Sequence, residues 1–269
     1  MKSAGSNKFK RALASGGVQL GLWQALSSPY TAEICAVAGF DWMLFDGEHS
    51  PSDVASLLTQ LQATAPYPSN AVGRVPVGEA WIIKQYLDIG FQTLLIPFVD
   101  SAEKASELAR AVRYPPSGIR GVAPGLSRAA RWGAVPSYLD IADQEVCLLA
   151  QIETADGLAA LEQIADVEGI DGIFIGPADL SAAFGHRGNP GHPEMVDRIG
   201  DALRRIVRTG KAAGTLALTP TAFAQAIDCG AKFVAVGTDV GLLATGAAAL
   251  LERYRKSDRL GGQAAPTGY

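Results

Sequence analysis

The sequence has few cysteines, no long apolar run and no excess of basic residues, and each absence excludes a class of protein. The three cysteines, Cys35, Cys147 and Cys229, have no metal-ligand spacing, and their odd number argues against a disulfide framework. We therefore expect reduced thiols in a cytoplasmic protein. No apolar run approaches the ~20 residues of a membrane span, and residues 1–15 lack the apolar centre of a secretory signal. The formal net charge of −4, with no basic stripe, predicts no nucleic-acid partner.

Several catalytic motifs are also missing. No G-x-G-x-x-G follows the first predicted strand, which disfavours a dinucleotide-binding open sheet. No G-x-S-x-G places a serine nucleophile. No lysine lies in the interior of a predicted strand, where a Schiff-base aldolase would need one.

The sequence does contain a regular alternation of short apolar strands and helical segments. We predict strands at residues 19–26, 41–45, 71–75, 93–97, 146–152, 172–175, 214–218 and 232–236. Continuously apolar strands are typical of a parallel sheet that is covered on both faces. Eight strand–helix repeats predict a single (β/α)₈ TIM barrel over residues 1–256, followed by a flexible tail at 257–269. A doubly wound open sheet is the alternative.

Some connections are less regular. Residues 117–144 are rich in Gly and Arg, with one short helix predicted near 136–142, and a loop follows the sixth strand up to His192. Ser52 is predicted to cap a helix that ends near residue 65, and residues 155–165 are predicted to form one helix. We expect the arginines of the long connection to be solvated or to contact another subunit, namely Arg113, Arg120, Arg128 and Arg131.

The C-terminal ends of the predicted strands carry most of the reactive side chains. In a TIM barrel these ends meet at one face, which holds the active site. The side chains at this face are Trp23, Asp46, Glu48, His49, Arg74, Glu153, Asp179 and the apolar Leu216.

Glu153 and Asp179 follow successive strands and are candidates for a metal site. Carboxylates are hard oxygen ligands that suit Mg²⁺ or Mn²⁺. Alternatively, Thr154 or Asp179 caps the following helix without any metal. Two carboxylates on adjacent strands favour the metal site. His186 and His192 lie in a loop rich in Gly, Asn and Pro, and we expect them to lie outside the chemistry.

Arg74 and His49 are candidates for charge and proton chemistry. Arg74 can hold a substrate carboxylate or an enolate oxygen, or it can form an ordinary surface ion pair. His49 follows Asp46 and Glu48, and either carboxylate can orient it as a proton-transfer group. The alternative is a loop histidine without a role.

Five segments carry a family resemblance. They are residues 39–42 (GFDW), 45–49 (FDGEH), 114–121 (YPPSGIRG), 151–154 (QIET) and 174–181 (FIGPADLS). Together they resemble the metal-dependent class II pyruvate aldolases of the 4-hydroxy-2-oxoheptanedioate aldolase type, in the aldolase/citrate lyase superfamily. The resemblance extends over nearly the whole chain.

The resemblance implies a TIM barrel that assembles as a homohexamer and exchanges its last helix between paired subunits. It implies a divalent metal (Mg²⁺, Mn²⁺ or Co²⁺) on Glu153 and Asp179. The expected reaction is the reversible cleavage of a 4-hydroxy-2-oxo acid to pyruvate and an aldehyde, through a metal-stabilised pyruvate enolate.

The resemblance also implies roles for individual residues. Arg74 neutralises the enolate, and His49, oriented by Asp46, belongs to the proton-transfer network. Glu48 contacts metal-bound water, and Asp88 comes from a neighbouring subunit. The substrate-binding set is Trp23, Gly176, Pro177, Ala178, Asp179, Leu216 and Asp88, with backbone amides near residues 176–179 holding the pyruvate carboxylate.

The acceptor aldehyde stays open, because residues 122–128 and 214–220 shape its pocket and need not match the heptanedioate enzyme. The alternatives are a 2-dehydro-3-deoxy sugar acid aldolase, a citramalyl- or malyl-CoA-type lyase and a non-catalytic oxo-acid sensor. The CoA-type lyase needs a nucleotide-handling surface, and the sequence has no clear one.

Overall fold

The computed structural model describes residues 6–255, and these residues form a closed barrel of parallel strands. Each strand pairs with the next one in the chain, and the eighth closes on the first, which confirms the predicted TIM barrel. The strands are β1 Gln19–Gln24, β2 Trp42–Asp46, β3 Asn70–Arg74, β4 Thr93–Ile96, β5 Cys147–Ile152, β6 Gly172–Ile175, β7 Ala212–Leu216 and β8 Phe233–Thr238. The tail predicted at 257–269 lies outside the described residues.

The helices pack around the outside of the barrel, except for the first one. They are α1 Lys8–Ser15, α2 Pro29–Val37, α3 Val54–Thr64, α4 Ala80–Ile89, α5 Ala102–Ala111, α6 Tyr138–Glu145, α7 Ala155–Ala159, α8 Leu161–Ala165, α9 Pro177–Ala183, α10 Pro193–Arg208, α11 Pro220–Asp228 and α12 Asp239–Arg255. Side-chain oxygens cap several of them, including Ser28, Ser101 and Thr219. Within residues 6–255, no helix combines the length and the apolar character that a membrane crossing requires.

Three predicted helix assignments were wrong. Asp53, rather than Ser52, caps α3, because its carboxylate accepts from the Ser56 N–H at 2.7 Å in a reciprocal capping box. The predicted helix at 155–165 is two helices, since Ala160 leaves the helical region with a ψ of 9°. Helix α9 lies in the predicted loop after the sixth strand, whereas the short helix predicted near 136–142 is confirmed as α6, with slightly later bounds.

Helix α1, which the polar sequence of residues 1–15 did not predict, lies against the interior of the barrel. Its apolar residues, Phe9 and Leu13, are four positions apart and therefore share one helix face. Phe9 is fully buried, with its ring centroid 5.8 Å from those of Trp42 and Phe233. Asn7 caps α1 and also donates to Thr93 Oγ1 at 3.0 Å, which ties the helix to the start of β4.

Aromatic rings continue from α1 through the barrel interior towards the C-terminal ends of the strands. Phe174 lies 6.0 Å from Phe233 and 5.7 Å from Trp23, measured between ring centroids. Gly21 leaves room for this column, because a Cβ atom there would lie 2.1 Å from the Trp42 ring. The barrel is therefore a packed core with one polar end.

We expect Phe9→Ala to lower the free energy of unfolding by about 3–5 kcal/mol, because it removes a ring from a closely packed interior. Urea denaturation followed by tryptophan fluorescence measures this loss. Phe9→Leu is the matched control and should cost less, since it keeps most of the apolar volume. Equal stabilities for Phe9→Ala and the wild type would contradict the role of α1 in the core.

Candidate active site

The centre of the polar end is an ion pair between neighbouring strands. Strand pairing places Asp46 directly beside Arg74 at the ends of β2 and β3. Arg74 Nε donates to Asp46 Oδ1 at 2.9 Å, and Nη2 donates to Oδ2 at 2.5 Å. Both side chains are almost fully buried, so this is a desolvated, bidentate pair rather than a surface ion pair.

Trp23 completes this arrangement from β1. Its indole Nε1 donates to Asp46 Oδ2 at 3.0 Å, and the Arg74 guanidinium carbon lies 4.8 Å from its ring centroid. Burial raises the pKa of Asp46, but the hydrogen bonds and charge of Arg74 outweigh burial and hold that pKa below its usual value. Asp46 therefore stays ionised at neutral pH.

The same carboxylate organises the loop after β2. Asp46 Oδ1 accepts from the backbone N–H groups of Glu48 at 2.9 Å and His49 at 3.3 Å. The Ser50 hydroxyl donates to the Asp46 carbonyl oxygen. These bonds form an Asx-type turn that holds Glu48 and His49 at the rim of the barrel.

Of the two carboxylates that the sequence offers to orient His49, the structure brings Glu48 beside the ring, whereas the resemblance implied Asp46. Asp46 meets this residue through the backbone N–H, because its carboxylate is engaged by Arg74 and Trp23. The ring is 64% exposed, and its Nε2 lies 4.0 Å from Glu48 Oε1. Glu48, rather than Asp46, is thus the carboxylate beside the imidazole.

Glu48 connects His49 to the buried ion pair. Its Oε2 lies 2.7 Å from Arg74 Nη1, as an ion pair rather than an aligned hydrogen bond. Burial raises the pKa of Glu48, and the negative charges of Asp46 and Asp179 add to this effect, while Arg74 and His49 oppose it. Glu48 therefore carries a charge that its surroundings only partly compensate.

Glu153 lies at the end of β5 and is almost fully buried. Its oxygens accept from the Gln151 side-chain amide and from the backbone N–H of Phe98, the latter at 3.0 Å. Burial raises the pKa of Glu153 to about 7, with further contributions from Glu48 and Asp179, although both hydrogen bonds lower it. Within residues 6–255 no Lys, Arg or His forms an ion pair with Glu153, so burial and the two neighbouring carboxylates disfavour its ionised form.

The turn between β6 and α9 lies close to Glu153. Gly176 is required there, because a Cβ atom would lie 2.6 Å from Glu153 Oε2. Asp179 is half-buried in the first turn of α9. Its charge contributes to the pKa shifts of both Glu48 and Glu153. Gly176, Pro177 and Ala178 lead from β6 to Asp179 and pass close to Glu153 at Gly176.

The capping alternative is confirmed for Thr154 and wrong for Asp179. Thr154 caps α7 by accepting from the Gly157 N–H at 3.0 Å. Asp179 lies inside α9, whose N-cap is Gly176. Neither Glu153 nor Asp179 therefore serves as an N-cap.

Two predicted substrate-binding residues lie apart from this centre. Leu216 ends β7 and, with Pro177 and Ala178, lines a mostly apolar cavity of about 250 Å³ beside the polar end. Asp88 lies near the end of α4, at the opposite face of the barrel, and accepts from Arg120 Nη2 at 2.9 Å. The structure does not bring Asp88 together with the other site residues of the same chain.

Arg120 corrects a second expectation, since it is only 2% exposed rather than solvated. Its guanidinium carbon lies 4.5 Å from the Tyr114 ring centroid, and it pairs with Asp88.

Gln151 is a site residue that the sequence reasoning missed. The signal was its position two residues before Glu153, which places both side chains on one side of a strand.

Comparison with known proteins identifies the family of this chain. The family described as HpcH/HpaI aldolase/citrate lyase matches residues 19–246. The chain is 55% identical over 261 residues to a hydroxypyruvate/pyruvate aldolase of Pseudomonas aeruginosa, covering 97% of this chain and 96% of the relative. It is 53% identical over 248 residues to a 4-hydroxy-2-oxo-heptane-1,7-dioate aldolase of Escherichia coli, covering 92% and 95%.

A solved structure gives the same result. An HpcH/HpaI aldolase/citrate lyase family protein from Burkholderia cenocepacia J2315 superposes with a TM-score of 0.89 at 36% identity, covering 93% of this chain and all of that one. The sequence motifs, the closed barrel and these matches agree. The chain therefore belongs to the HpcH/HpaI aldolase/citrate lyase family, as its motifs predicted.

Proposed function

We propose that this protein is a divalent-metal-dependent aldolase that reversibly cleaves a 4-hydroxy-2-oxo acid to pyruvate and an aldehyde. The observation that carries the proposal is the surplus of negative charge at the polar end of the barrel. Glu48, Glu153 and Asp179 repel one another there, and Arg74 is already shared between Asp46 and Glu48. A divalent cation would relieve this repulsion.

The residues present fit such a cation. Glu153 and Asp179 supply hard carboxylate oxygens, and a buried Gln151 oxygen without a hydrogen-bond partner lies beside Glu153. Mg²⁺, Mn²⁺ and Co²⁺ suit this donor set. When bound, the ion would act as a Lewis acid that stabilises the negative charge developing on a 2-oxo acid during carbon–carbon cleavage.

Arg74 supplies fixed positive charge beside that position. A guanidinium has five N–H groups, and three nitrogens of Arg74 already face Asp46 or Glu48. One N–H on each terminal nitrogen remains for a substrate oxygen. Because Asp46 holds the guanidinium plane in place, these donors are oriented before the substrate arrives, which favours charge stabilisation in the transition state.

His49 and Glu48 form the unit that moves a proton in this proposal. His49 is exposed at the rim, where it can reach the hydroxyl group of an aldol. Glu48 lies between His49 and the buried Arg74, so it can stabilise the imidazolium that forms. This pairing replaces the Asp46–His49 pair that the resemblance implied.

The site residues constrain the identity of the aldehyde less than that of the 2-oxo acid. Trp23, Leu216 and the apolar cavity beside Pro177 favour an aldehyde with an apolar portion. The relatives named hydroxypyruvate/pyruvate aldolase support hydroxypyruvate as a second donor, and a 2-dehydro-3-deoxy sugar acid is the alternative product class. Three free thiols agree with a cytoplasmic enzyme.

The proposal includes a hexameric assembly in which α12 packs on a partner subunit. Leu243, Leu250 and Tyr254 share one face of α12 and are all more than half exposed. A helix with such a face is unfavourable in water unless another surface covers it. Asp88 lies near the end of α4, away from the site of its own chain, and in this proposal it contributes to the site of a neighbouring subunit.

Removal of divalent metal with EDTA should abolish pyruvate release from 4-hydroxy-2-oxo acids, because Arg74 alone leaves Glu48, Glu153 and Asp179 uncompensated. A coupled assay for pyruvate measures the loss. Re-addition of Mg²⁺, Mn²⁺ or Co²⁺ should restore the rate, and the fold should be unchanged by circular dichroism. Full activity in the stripped protein would rule out metal dependence.

Glu153→Gln should have opposite effects on stability with and without metal. In the metal-free protein the pKa of Glu153 is raised to about 7, so its ionisation lowers the free energy of unfolding. This loss of stability is absent below the usual pKa of 4.5 and complete above pH 7. The variant should therefore be more stable than the wild type at pH 8, by on the order of 3 kcal/mol, and nearly equal at pH 5. With Mn²⁺ present, the wild type should gain more stability than the variant. Denaturant titrations at both pH values would refute the assignment if the difference did not depend on pH.

The double variant Leu243→Lys/Leu250→Lys should reduce the molar mass in solution, because it places two charges on the apolar face of α12. Light scattering after size exclusion measures the mass. Thr245→Lys, on the opposite face of the same helix, is the matched control and should keep the wild-type mass. An unchanged mass for the double variant would contradict the role of α12 in assembly.

A further inference from the structure

We propose that His186, His192 and Glu194 form a second metal site, which prefers Zn²⁺ or a similar transition metal. Within residues 6–255, this group of His, Cys, Asp and Glu side chains brings three ligand atoms within 4.8 Å of one another. It lies in the loop after α9 and the first turn of α10, apart from Glu153 and Asp179. The site does not depend on the proposed aldolase chemistry.

The ligand atoms are almost at coordination distance already. His186 Nε2 lies 3.0 Å from Glu194 Oε2. Tetrahedral zinc, with bonds of about 2.0–2.1 Å, places its ligand atoms roughly 3.3 Å apart. This pair needs only a small movement to admit an ion. A nitrogen of His192 lies within 4.8 Å of both, and its ring must turn out of the stack with His186 before both rings can bind one ion.

The two imidazoles are arranged unusually for loop histidines. Their rings stack with centroids 3.8 Å apart and an interplanar angle of 18°. Nδ1 of His192 is buried and has no hydrogen-bond partner among residues 6–255, which is costly for a polar atom. Imidazole nitrogens are common ligands for zinc.

The backbone fixes these side chains relative to one another. The His186 N–H donates to Ser181 O at 2.7 Å, and the His192 N–H donates to Asn189 O at 3.1 Å. The loop is thus a sequence of tight turns between two helices. Pro193 then starts α10 and places Glu194 in its first turn.

Arg198 positions the carboxylate from one turn further along α10. Its Nε and Nη2 lie 3.0 and 2.9 Å from Glu194 Oε1, which leaves Oε2 directed towards His186. Such partners of a ligand typically fix its orientation. Arg198 and the positive end of the helix dipole also oppose a cation. Imidazole coordination must therefore provide most of the affinity, which selects Zn²⁺ over Mg²⁺.

A metal ion here would connect the end of α9 to the start of α10. Asp179 lies in the first turn of α9, and Ser181, two residues later, binds the loop backbone. Zinc would therefore stabilise the segment that presents Asp179, while Mg²⁺ or Mn²⁺ would occupy the carboxylate site. The two sites differ in ligand chemistry and can be titrated separately.

The test uses the full-length Glu153→Gln variant, in which the carboxylate site is disabled. After metal removal, isothermal titration with Zn²⁺ should show one ion per chain, and excess Mg²⁺ should not displace it. Co²⁺ should give visible absorption typical of nitrogen and oxygen coordination. Addition of His186→Asn and His192→Gln should weaken Zn²⁺ binding by more than about tenfold, as loss of ligands requires.

Arg187→Gln, in the same loop but outside the ligand set, is the matched control and should bind as the parent does. Glu194→Gln provides an independent variant if the double histidine change impairs folding, and it should also weaken binding. No Zn²⁺ uptake by Glu153→Gln, or uptake that survives loss of both histidines, would overturn the second site. Neither outcome affects the EDTA test of the aldolase, because that test restores activity with Mg²⁺.

Discussion

The buried ion pair between Asp46 and Arg74 is the interaction on which the polar end of the barrel depends. Loss of Arg74 would leave the Asp46 charge uncompensated in a desolvated position, which typically costs about 3–5 kcal/mol. The pair also has structural consequences. Asp46 accepts from Trp23 and from the backbone of the loop that carries Glu48 and His49, so one carboxylate positions three neighbours. Arg74 is held in one plane as a result, between Asp46 and Glu48.

Two carboxylates at this end differ in their environments. Arg74 lowers the pKa of Asp46, whereas burial raises that of Glu153. Such a separation often indicates a division of roles. Asp46 is held as an anion by Arg74, and in our proposal Glu153 is the carboxylate that binds a cation. Family membership and this charge distribution lead independently to the same kind of chemistry.

The sequence predicted the barrel and the positions of its polar residues, because strand ends and apolar runs are local features. It did not predict which residues pair. The Asp46–Arg74 bond follows from strand register, and the buried Arg120 needs Tyr114 and Asp88, which arrive from other elements. Helix α1 was not predicted for the same reason. Its two apolar residues do not stand out in the sequence, and their role depends on packing against aromatic rings of β2 and β8.

The barrel interior is closed at the end where the strands begin, and this limits how reactants enter and leave. Phe9, Trp42 and Phe233 fill the interior at the side where the strands begin, and the aromatic column continues to Trp23 below the ion pair. Within residues 6–255 the barrel interior is thus open only at the C-terminal ends of the strands. Any molecule bound near Arg74 and Glu153 must arrive and depart through one opening. When two product fragments share that opening, the fragment bound deeper can leave only after the fragment nearer the opening has dissociated.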